Sequence, residues 1–372
     1  MSAPDPLVSV CIVSGRRGAL LRACLVSLQA QEDAPPFELL VCADADSGVS
    51  SMVKEHFPEA DIVHVAKTLP GAARNELIPR AHGEILFFLD DDIVAPPRLL
   101  RRLVELMATH PEVGVFGGPN VTPPGSSPFQ VVQGAVLASA IGAGPVRRRY
   151  GDHPFGQADE RSFILCNLAV RREAMVPFDS DLVCAEENAV LLELKRRNLG
   201  MLYDPDLAVY HERRGTAVGF VRQMFKYGRG RGQVMARRRD GIRATYLAAP
   251  ALVIYTALAP ILAFFTLWAL VPIAVYAVMV LAGAVGVAAR LRRIGALPLA
   301  VVLIVSLHYC YGTGIMAGIL RRRRHAGVWP ERPSSSGRRP QAPAPPEIGQ
   351  QSRRSPAPAT AEPALESERP AP

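Results

Sequence analysis

Residues 7–210 alternate between two hydrophobic patterns, short apolar runs and longer segments whose apolar residues recur every three or four positions. The short runs predict buried strands, and the periodic segments predict amphipathic helices. Regular alternation of the two predicts an α/β fold whose sheet is mostly parallel, Rossmann-like, with helices on both faces. The predicted strands are 7–13, 37–42, 62–65, 85–89, 113–116, 163–170 and 207–210, and the predicted helices are 18–31, 50–57, 71–81, 99–109 and 186–198.

Two later stretches depart from this alternation. Residues 119–150 are rich in glycine and proline and predict no regular element, so we interpret part of them as a mobile loop. Residues 220–227 place Phe220, Met224 and Tyr227 at helical spacing among basic residues. That pattern is typical of an amphipathic helix at a membrane surface, and we assign residues 213–243 to such a juxtamembrane segment.

A long uncharged region follows. Residues 244–289 contain no Asp, Glu, Lys, Arg or His. One helix of that length would measure roughly 70 Å, about twice the bilayer core, so we predict two membrane helices that turn near residues 268–272. Residues 294–320 carry only His308 as a titratable group outside tyrosine and cysteine, and residues 244–320 therefore predict two to three transmembrane helices. Residues 330–372 are dominated by Pro, Ala, Ser, Arg and Glu and predict a disordered tail.

Charge and cysteine usage narrow the class of protein. The net charge is +8, but the excess lies in basic runs at 237–239, 290–293 and 321–324, beside the apolar segments. In that position they indicate contact with anionic lipid head groups, and we expect a membrane partner and no nucleic acid. The six cysteines are scattered without metal-finger spacing, which is typical of reduced thiols in a cytosolic domain.

The basic runs leave the number of membrane crossings open. Two spans return the chain at residues 290–293 to the cytosolic side, as the positive-inside rule prefers. A third full span would place residues 321–324 outside, against that rule. Either the last segment does not cross fully or the rule fails here, and Gly312, Gly314 and Gly318 would permit a broken or re-entrant helix.

The strongest chemical signal is the segment GEILFFLDDDIVAPP at residues 83–97. Asp90, Asp91 and Asp92 follow a buried strand, where three carboxylates repel one another and lose hydration. A divalent cation removes that penalty, and hard oxygen ligands suit Mg²⁺ or Mn²⁺, which usually bridge to substrate phosphates. Asp44 and Asp46 follow the second predicted strand and are expected at the same sheet edge. The alternative is a solvated acidic turn.

Several motifs occur in the order typical of one enzyme family. They are VSVCIVSGRRGALLRACLVSL, FELLVCADADS, GAARNELIPRAHGEILFFLDDD, FILCNLAVRREAM, AEENAVLLELKRRNLG and LYDPDLAVYHERR. Over about residues 7–230 the chain resembles the inverting family 2 glycosyltransferases, which have the GT-A fold, and we assign residues 1–230 to that domain. QMFKYGRGRG followed by apolar segments resembles bacterial membrane-anchored members that build exopolysaccharide, including succinoglycan-type enzymes.

The resemblance implies roles on the donor side. The donor would be a nucleotide-diphosphate sugar. Asp92 with Asp90 would hold Mg²⁺ or Mn²⁺ against the two phosphates, and Asp91 is the alternative direct ligand. Arg74 resembles the donor-contacting arginine of the family. The alternative is that it is an arginine on the exposed surface of a helix. Asp44 would bind the nucleoside.

On the acceptor side, Glu187 occupies the position of the family's catalytic Asp and would act as general base, with Glu186 as its substitute. The alternative for Glu186 and Glu187 is a structural role at the start of a helix, where acidic residues are favoured. His211 is either a further metal or phosphate contact or a structural histidine. Asn167 is expected to orient the acceptor or the base.

The chain departs from the family pattern at several positions. Val13-Ser14-Gly15-Arg16 replaces the usual Pro-Thr-x-Asn, and Ala43 replaces the first Asp of Asp-Asp-Gly-Ser. A usual nucleobase contact is thus missing, which leaves the donor open, and Asp46 is the residue that would compensate. Gln223 is followed by Met-Phe-Lys-Tyr, so the Gln-x-x-Arg-Trp motif of processive synthases is absent and we expect transfer of single sugars.

We therefore expect a membrane-anchored glycosyltransferase that acts on a lipid-linked or other saccharide acceptor in cell-surface polysaccharide synthesis. We expect a multi-pass protein of the inner (plasma) membrane with a cytoplasmic catalytic domain, because nucleotide-sugars are made there. One alternative is a non-catalytic glycosyltransferase-like binding or scaffold protein. Another is a nucleotidyltransferase, but the Glu186-Glu187 helix and the lack of a glycine-rich triphosphate loop near residue 15 weigh against it.

Overall fold

A computed structural model of the chain describes residues 5–15, 18–44, 48–66, 68–151, 153–182, 184–238 and 241–320. The strands are β1 (Val8–Ser14), β2 (Phe37–Asp44), β3 (Asp61–Val65), β4 (Ile85–Asp90), β5 (Ile93–Val94), β6 (Val113–Gly117), β7 (Asn120–Val121), β8 (Gly156–Gln157), β9 (Asn167–Arg171), β10 (Gly200–Tyr203) and β11 (Val209–His211). The helices are α1 (Gly18–Gln29), α2 (Val49–His56), α3 (Pro70–Asn75), α4 (Leu99–Thr109), α5 (Pro128–Leu137), α6 (Glu186–Arg196), α7 (Ala217–Arg237), α8 (Ala244–Phe265), α9 (Val271–Leu291) and α10 (Leu297–Leu320).

Eight strands form the central sheet in the order β3-β2-β1-β4-β9-β6-β10-β8. The pairs β1–β2, β1–β4, β2–β3 and β6–β10 are parallel, whereas β9 is antiparallel to both β4 and β6 and β8 is an antiparallel edge. The sheet is therefore mixed but rich in parallel pairs, and the predicted α/β class is confirmed. A small second sheet has the order β5-β11-β7.

β4 lies near the centre of the sheet and is covered on both faces. Its residues 85–89 are fully buried, as the uninterrupted apolar run requires in a strand that is covered on both faces. The register aligns Val13 with Asp90 and Ser14 with Ala43, so β1, β2 and β4 end at one edge. Polar residues that follow these strands are thereby brought together.

Most predicted elements are confirmed with small shifts of their ends, but two bounds are wrong. The predicted helix over 71–81 is α3 followed by a separate 3₁₀ turn, Ile78–Arg80. Pro79 explains the break, since proline donates no backbone hydrogen bond and disfavours helical geometry at the preceding residue. The strand predicted over 163–170 begins only at Asn167.

The expectation that residues 119–150 contain no regular element is also wrong, whereas a mobile part of the segment stays a prediction. The segment contains β7, helix α5 and a 3₁₀ helix, Gly144–Arg149. α5 begins with a capping box in which Ser127 and Gln130 satisfy each other's backbone groups, and Pro128 is its first residue. Ser127 followed by Pro128 is a pattern typical of a helix start, but the glycine and proline content of the segment favoured an irregular structure.

Among the residues that the structure describes, three helical segments are long and apolar enough to cross a membrane, namely Ala244–Phe265, Leu267–Leu291 and Ile294–Leu320. The first two meet through the short 3₁₀ helix Leu267–Leu270, which confirms the predicted turn. Most side chains of α8 and α9 are exposed, whereas α10 is covered along most of its length. α10 is thus the central helix of this bundle.

α10 is continuous, so the glycines within it do not break the helix. They form close contacts with α7, because a Cβ on Gly314 would lie 2.3 Å from the Phe225 carbonyl oxygen and one on Gly318 would lie 2.2 Å from that of Arg229. α7 is also much longer than the predicted helix at 220–227. The predicted tail at 330–372 and the basic run at 321–324 lie outside the described residues.

Candidate active site

The three aspartates of the acidic turn have three different partners. Oδ1 of Asp90 accepts a hydrogen bond from Nη2 of Arg74 at 2.8 Å. Oδ2 of Asp91 accepts one from the Ser14 hydroxyl at 2.8 Å, and Oδ1 of Asp92 lies 3.2 Å from Nε2 of His211. Asp91 and Asp92 are only 6% and 5% exposed. Such burial does not fit the alternative of a solvated acidic turn.

Arg74 joins the acidic turn to the start of α6. Its guanidinium donates through Nη1 to Oε1 of Glu186 at 2.8 Å and through Nη2 to Asp90. The side chain is buried, so it is not the surface arginine of the alternative interpretation. Charge-assisted hydrogen bonds of this length are strong and fix the relative positions of both carboxylates. The residue that begins α3, Pro70, sets the helix that carries Arg74.

Glu186 and Glu187 open α6 and are both buried. Ala185, which precedes them, has φ 66°, a left-handed conformation that is uncommon outside glycine. Burial raises the pKa of Glu186; Arg74 opposes the rise and the charge of Glu187 adds to it. The positive end of α6 lies at the same position and favours negative charge.

Glu187 has partners different from those of Glu186. Nη1 of Arg149 lies 3.2 Å from Oε1 of Glu187, and the same oxygen accepts a hydrogen bond from Asn188 at 3.0 Å. Arg149 is itself anchored to the carbonyl oxygens of Glu160 and Arg161. Its guanidinium therefore has a fixed position from which it orients the Glu187 carboxylate.

A second arginine extends this network toward the apolar helices. Nη2 of Arg231, in α7, donates to Oδ1 of Asn188 at 2.6 Å, and its guanidinium lies 4.3 Å from the ring centroid of Tyr246 in α8. Arg149 also donates to Asn188 Oδ1 at 3.0 Å. The start of α6 is thus connected to α7 and α8 by buried polar contacts.

Asp90, Cys166 and His211 place one potential ligand atom each within 4.8 Å of the others. Asn120 donates to the Cys166 sulfur at 3.2 Å, and burial raises the pKa of that thiol to about 12. Carboxylate, imidazole and thiolate are all ligands of divalent transition metals. The donor set, with Asp92 beside His211, therefore fits a divalent cation, and it places the predicted ligands Asp90, Asp92 and His211 together.

The remaining predicted residues lie in different surroundings. Asp44 ends β2, at the edge of the sheet where β4 ends, whereas Asp46 lies outside the described residues. Asn167 is fully buried and its amide donates to the carbonyl oxygen of Leu207 at 2.6 Å, which holds the backbone just before β11. A role of Asn167 in orienting the acceptor stays a prediction.

Sequence reasoning did not single out four residues of this site: Ser14, Arg149, Cys166 and Arg231. Arg149 ends a run of three arginines in a glycine- and proline-rich segment, and Arg231 lies in a basic run, so both resemble solvated charge. Cys166 precedes the noted Asn167, which was the available signal. Each is brought to the site by contacts between residues far apart in the chain.

The model of the family described as glycosyltransferase like family 2 matches residues 4–230. The match covers more than half of the chain, so the protein belongs to this family and carries a glycosyltransferase domain. No curated protein matches the chain.

The chain is also similar to solved structures. The chain is similar to the mannosyltransferase PcManGT from Pyrobaculum calidifontis, in complex with GDP-Man and Mn²⁺, with 20% identity, a TM-score of 0.53, and coverage of 87% of this chain and 90% of that one. S. aureus TarS 1–349 matches with 15% identity and a TM-score of 0.40 over 83% and 90% of the two chains. At this identity the likeness to PcManGT shows the fold alone, which is the GT-A fold.

Proposed function

We propose that the protein is a membrane-bound inverting glycosyltransferase that moves one sugar from a nucleotide-diphosphate sugar to a lipid-linked saccharide acceptor. The observation that carries the proposal is the buried bridge from Asp90 through Arg74 to Glu186. It joins a metal-binding edge of the sheet to the paired glutamates of α6. A glycosyl transfer needs those two parts next to each other, because one stabilises the leaving group while the other activates the acceptor.

On the donor side, Asp90, Asp92 and His211 are the ligands that we propose for a divalent cation, Mg²⁺ or Mn²⁺. Its charge would offset the negative charge that develops on the leaving diphosphate. Arg74 lies beside this site and would contact the diphosphate, and Asp44 would bind the nucleoside. The structural relative PcManGT was solved with GDP-Man and Mn²⁺, which supports a donor of this chemical class.

On the acceptor side, Glu187 is the general base. It takes the proton from the acceptor hydroxyl while that oxygen attacks the anomeric carbon from the face opposite the diphosphate. A single displacement inverts the anomeric configuration. Arg149 and Asn188 hold the carboxylate in one orientation, and Glu186 faces Arg74 instead.

The apolar helices suit a role at the membrane in cell-surface polysaccharide synthesis. α8 and α9 would anchor the enzyme in the plasma membrane with its catalytic domain in the cytoplasm, where nucleotide-sugars are made. An acceptor carried on lipid would then reach Glu187 from the inner leaflet. The exposed apolar side chains of both helices support this placement.

Asp92→Asn tests the proposal in the full chain reconstituted in nanodiscs. A panel of nucleotide-diphosphate sugars is screened by nucleotide release, with and without Mn²⁺, and the product anomer is read by NMR. We expect Asp92→Asn to lower turnover about a hundredfold or more, since metal charge stabilisation is worth several kcal/mol. The control is Asp61→Asn, at an exposed aspartate that pairs with Arg80 on the surface.

Three results would contradict the proposal. Unchanged turnover of Asp92→Asn with the metal present would contradict the role of Asp92 as a metal ligand. Retention of the anomeric configuration would exclude the single displacement. An absence of metal-dependent affinity for every nucleoside diphosphate, measured by calorimetry, would favour a non-catalytic scaffold.

A further inference from the structure

A cavity of about 620 Å³ lies where α8, α9 and α10 meet the segment that follows α5. Cavities that bind organic ligands typically measure roughly 300–1,000 Å³. Packing defects in protein interiors are far smaller than this, since few voids exceed the size of a water molecule. The volume is therefore large enough to hold an organic ligand.

The wall of the cavity is apolar. Ala248, Leu252, Ile273 and Met279 contribute to it, and none of its described lining residues is Asp, Glu, Lys or Arg. Six tyrosines and one histidine supply the ring surfaces. The histidine, His308, is already bonded to the Ile141 carbonyl oxygen and the Tyr276 hydroxyl. A wall without charge favours hydrocarbon over a sugar or a nucleotide, which would lose hydration there.

The surroundings of the cavity are those of a lipid-facing surface. Ile254, Val278 and other large side chains of α8 and α9 point outward and are at least half exposed. Such a continuous apolar surface belongs in a bilayer. Ala248 and Met279 line the cavity and are themselves exposed, so the cavity opens toward the same surroundings.

The inner end of the cavity is close to Glu187. Tyr150 lines the cavity and follows Arg149, which contacts Glu187 at 3.2 Å. Tyr246 also lines it, and the guanidinium of Arg231 lies over its ring. Two residues that line the cavity are thus next to arginines that belong to the contacts around Glu187.

This inner end also has an excess of positive charge. The guanidinium of Arg213 lies 5.5 Å from the ring centroid of Tyr150, so Arg149, Arg213 and Arg231 cluster there. All three are buried, and two carboxylates, Glu187 beside Arg149 and Glu212 beside Arg213, lie near them, so the positive groups are in excess. Arginine is the side chain best suited to bind phosphate, through its planar fork of donors.

We propose that the cavity holds the hydrocarbon chain of the acceptor, a long-chain lipid phosphate whose phosphate lies at this arginine cluster. The chain enters between α8 and α9 from the bilayer, and the sugar it carries reaches Glu187. The inference rests on the proposed function and adds to it the place where the acceptor is bound and the chemistry that recognises it.

Photolabelling tests the inference. The full chain in nanodiscs is irradiated with a polyisoprenyl phosphate that carries a diazirine at the end of its hydrocarbon chain, and labelled peptides are identified by mass spectrometry. We expect labels on the wall residues of α8 and α9, such as Leu252 and Ile273. Excess unlabelled polyisoprenyl phosphate should prevent labelling, and equal phosphatidylglycerol should not. Labels confined to outward-facing residues, or equal displacement by phosphatidylglycerol, would overturn the inference.

Two variants that narrow the cavity sharpen the test. We expect Ala248→Trp and Met279→Trp to lower labelling of the wall at least tenfold while metal-dependent affinity for nucleoside diphosphates is unchanged. Ala257→Trp, at an exposed α8 position outside the cavity, is the matched control and should label normally. Normal labelling of both cavity variants would overturn the inference. If the unmutated chain shows no affinity for nucleoside diphosphates, that result overturns the proposed function instead.

Discussion

Glu186 and Glu187 are neighbours in sequence whose side chains have partners on different sides of α6. Successive residues of an α-helix point about 100° apart, so consecutive carboxylates serve different surroundings. Glu186 bonds to Arg74, which also binds Asp90, and Glu187 bonds to Arg149. The division is the basis on which we propose a donor-side role for Glu186 and an acceptor-side role for Glu187.

The division predicts different kinetics for Glu187→Gln and Glu186→Gln. We expect Glu187→Gln to lower kcat by about 10²–10⁴-fold with unchanged nucleotide affinity, because a general base acts only in the transition state. Glu186→Gln should mainly weaken affinity for the donor and the metal, since it releases Arg74 to pair more tightly with Asp90. Steady-state kinetics and calorimetry separate the two effects. The reverse pattern would exchange the two roles.

Cys166 gives the proposed metal site a thiol to which the sequence analysis assigned no role. Softer cations prefer sulfur ligands, so we expect the site to bind Mn²⁺ or Cd²⁺ more tightly than Mg²⁺. In Cys166→Ser that preference should fall several-fold, and the thiolate-to-Cd²⁺ absorption band in the ultraviolet should disappear. Cys42→Ser, at another buried thiol in β2, is the control. A Cd²⁺ band that persists in Cys166→Ser would show that the sulfur is not a ligand.

At the scale of elements, glycines allow α7 and α10 to pack backbone to backbone. Gly228 and Gly232 of α7 face Tyr311 and Ile315 of α10, where an added Cβ would lie within 2.2 Å of a carbonyl oxygen. Gly314 makes the reciprocal approach. Small residues at four-residue spacing let helix backbones approach closely, as they do in this pair.

The contact predicts a position-dependent effect of adding one methyl group. Gly314→Ala should lower the thermal unfolding midpoint in detergent, because overpacking costs about 1–3 kcal/mol. Gly286→Ala is the matched control, since a Cβ at this position of α9 meets nothing within 4 Å. Alanine is the better helix former by about 0.5–1 kcal/mol, so the control should be neutral or stabilising. Equal midpoints for both variants would contradict the close contact.

Local patterns predicted the elements of the sheet well and its cross-chain contacts poorly. The run Ile85–Leu89 and the aspartates after it indicated a buried strand and a candidate metal site. Both signals could be seen because the apolar run and the carboxylates are adjacent in the sequence. α5 was missed since glycine content outweighed the Ser-Pro start. Arg149 reaches Glu187 across 38 positions of sequence, and no periodicity encodes a contact of that kind.

At the scale of the whole molecule, α10 lies between the catalytic domain and the hairpin of α8 and α9. Its first half packs with Val132 and Val136 of α5, and its second half packs along α7. Both partners belong to the region before the apolar segments. A helix that follows the catalytic domain along its whole length need not cross the bilayer, and we propose that only α8 and α9 do. Residues 290–293 and the end of α10 then share one side, which satisfies the positive-inside rule.

Reporter fusions test this topology. If α10 ends in the cytoplasm as proposed, a fluorescent protein fused after Leu320 should fold and fluoresce, and alkaline phosphatase at the same point should be inactive. Fusions after Leu270, between α8 and α9, provide the opposite pattern as a control. Active phosphatase after Leu320 would mean that α10 crosses the membrane.

The central place of α10 also has a consequence for biosynthesis. The ribosome releases α10 after the catalytic domain, α7 and the hairpin, so the glycine face of α7 and one wall of the cavity stay incomplete until then. Domains fold in the order of their synthesis, so a nascent chain of this protein would complete its central sheet before it completes the cavity. On the proposed function, the hairpin would therefore be made before the cavity that we assign to the acceptor is complete, and a chain without α10 would lack a finished acceptor site.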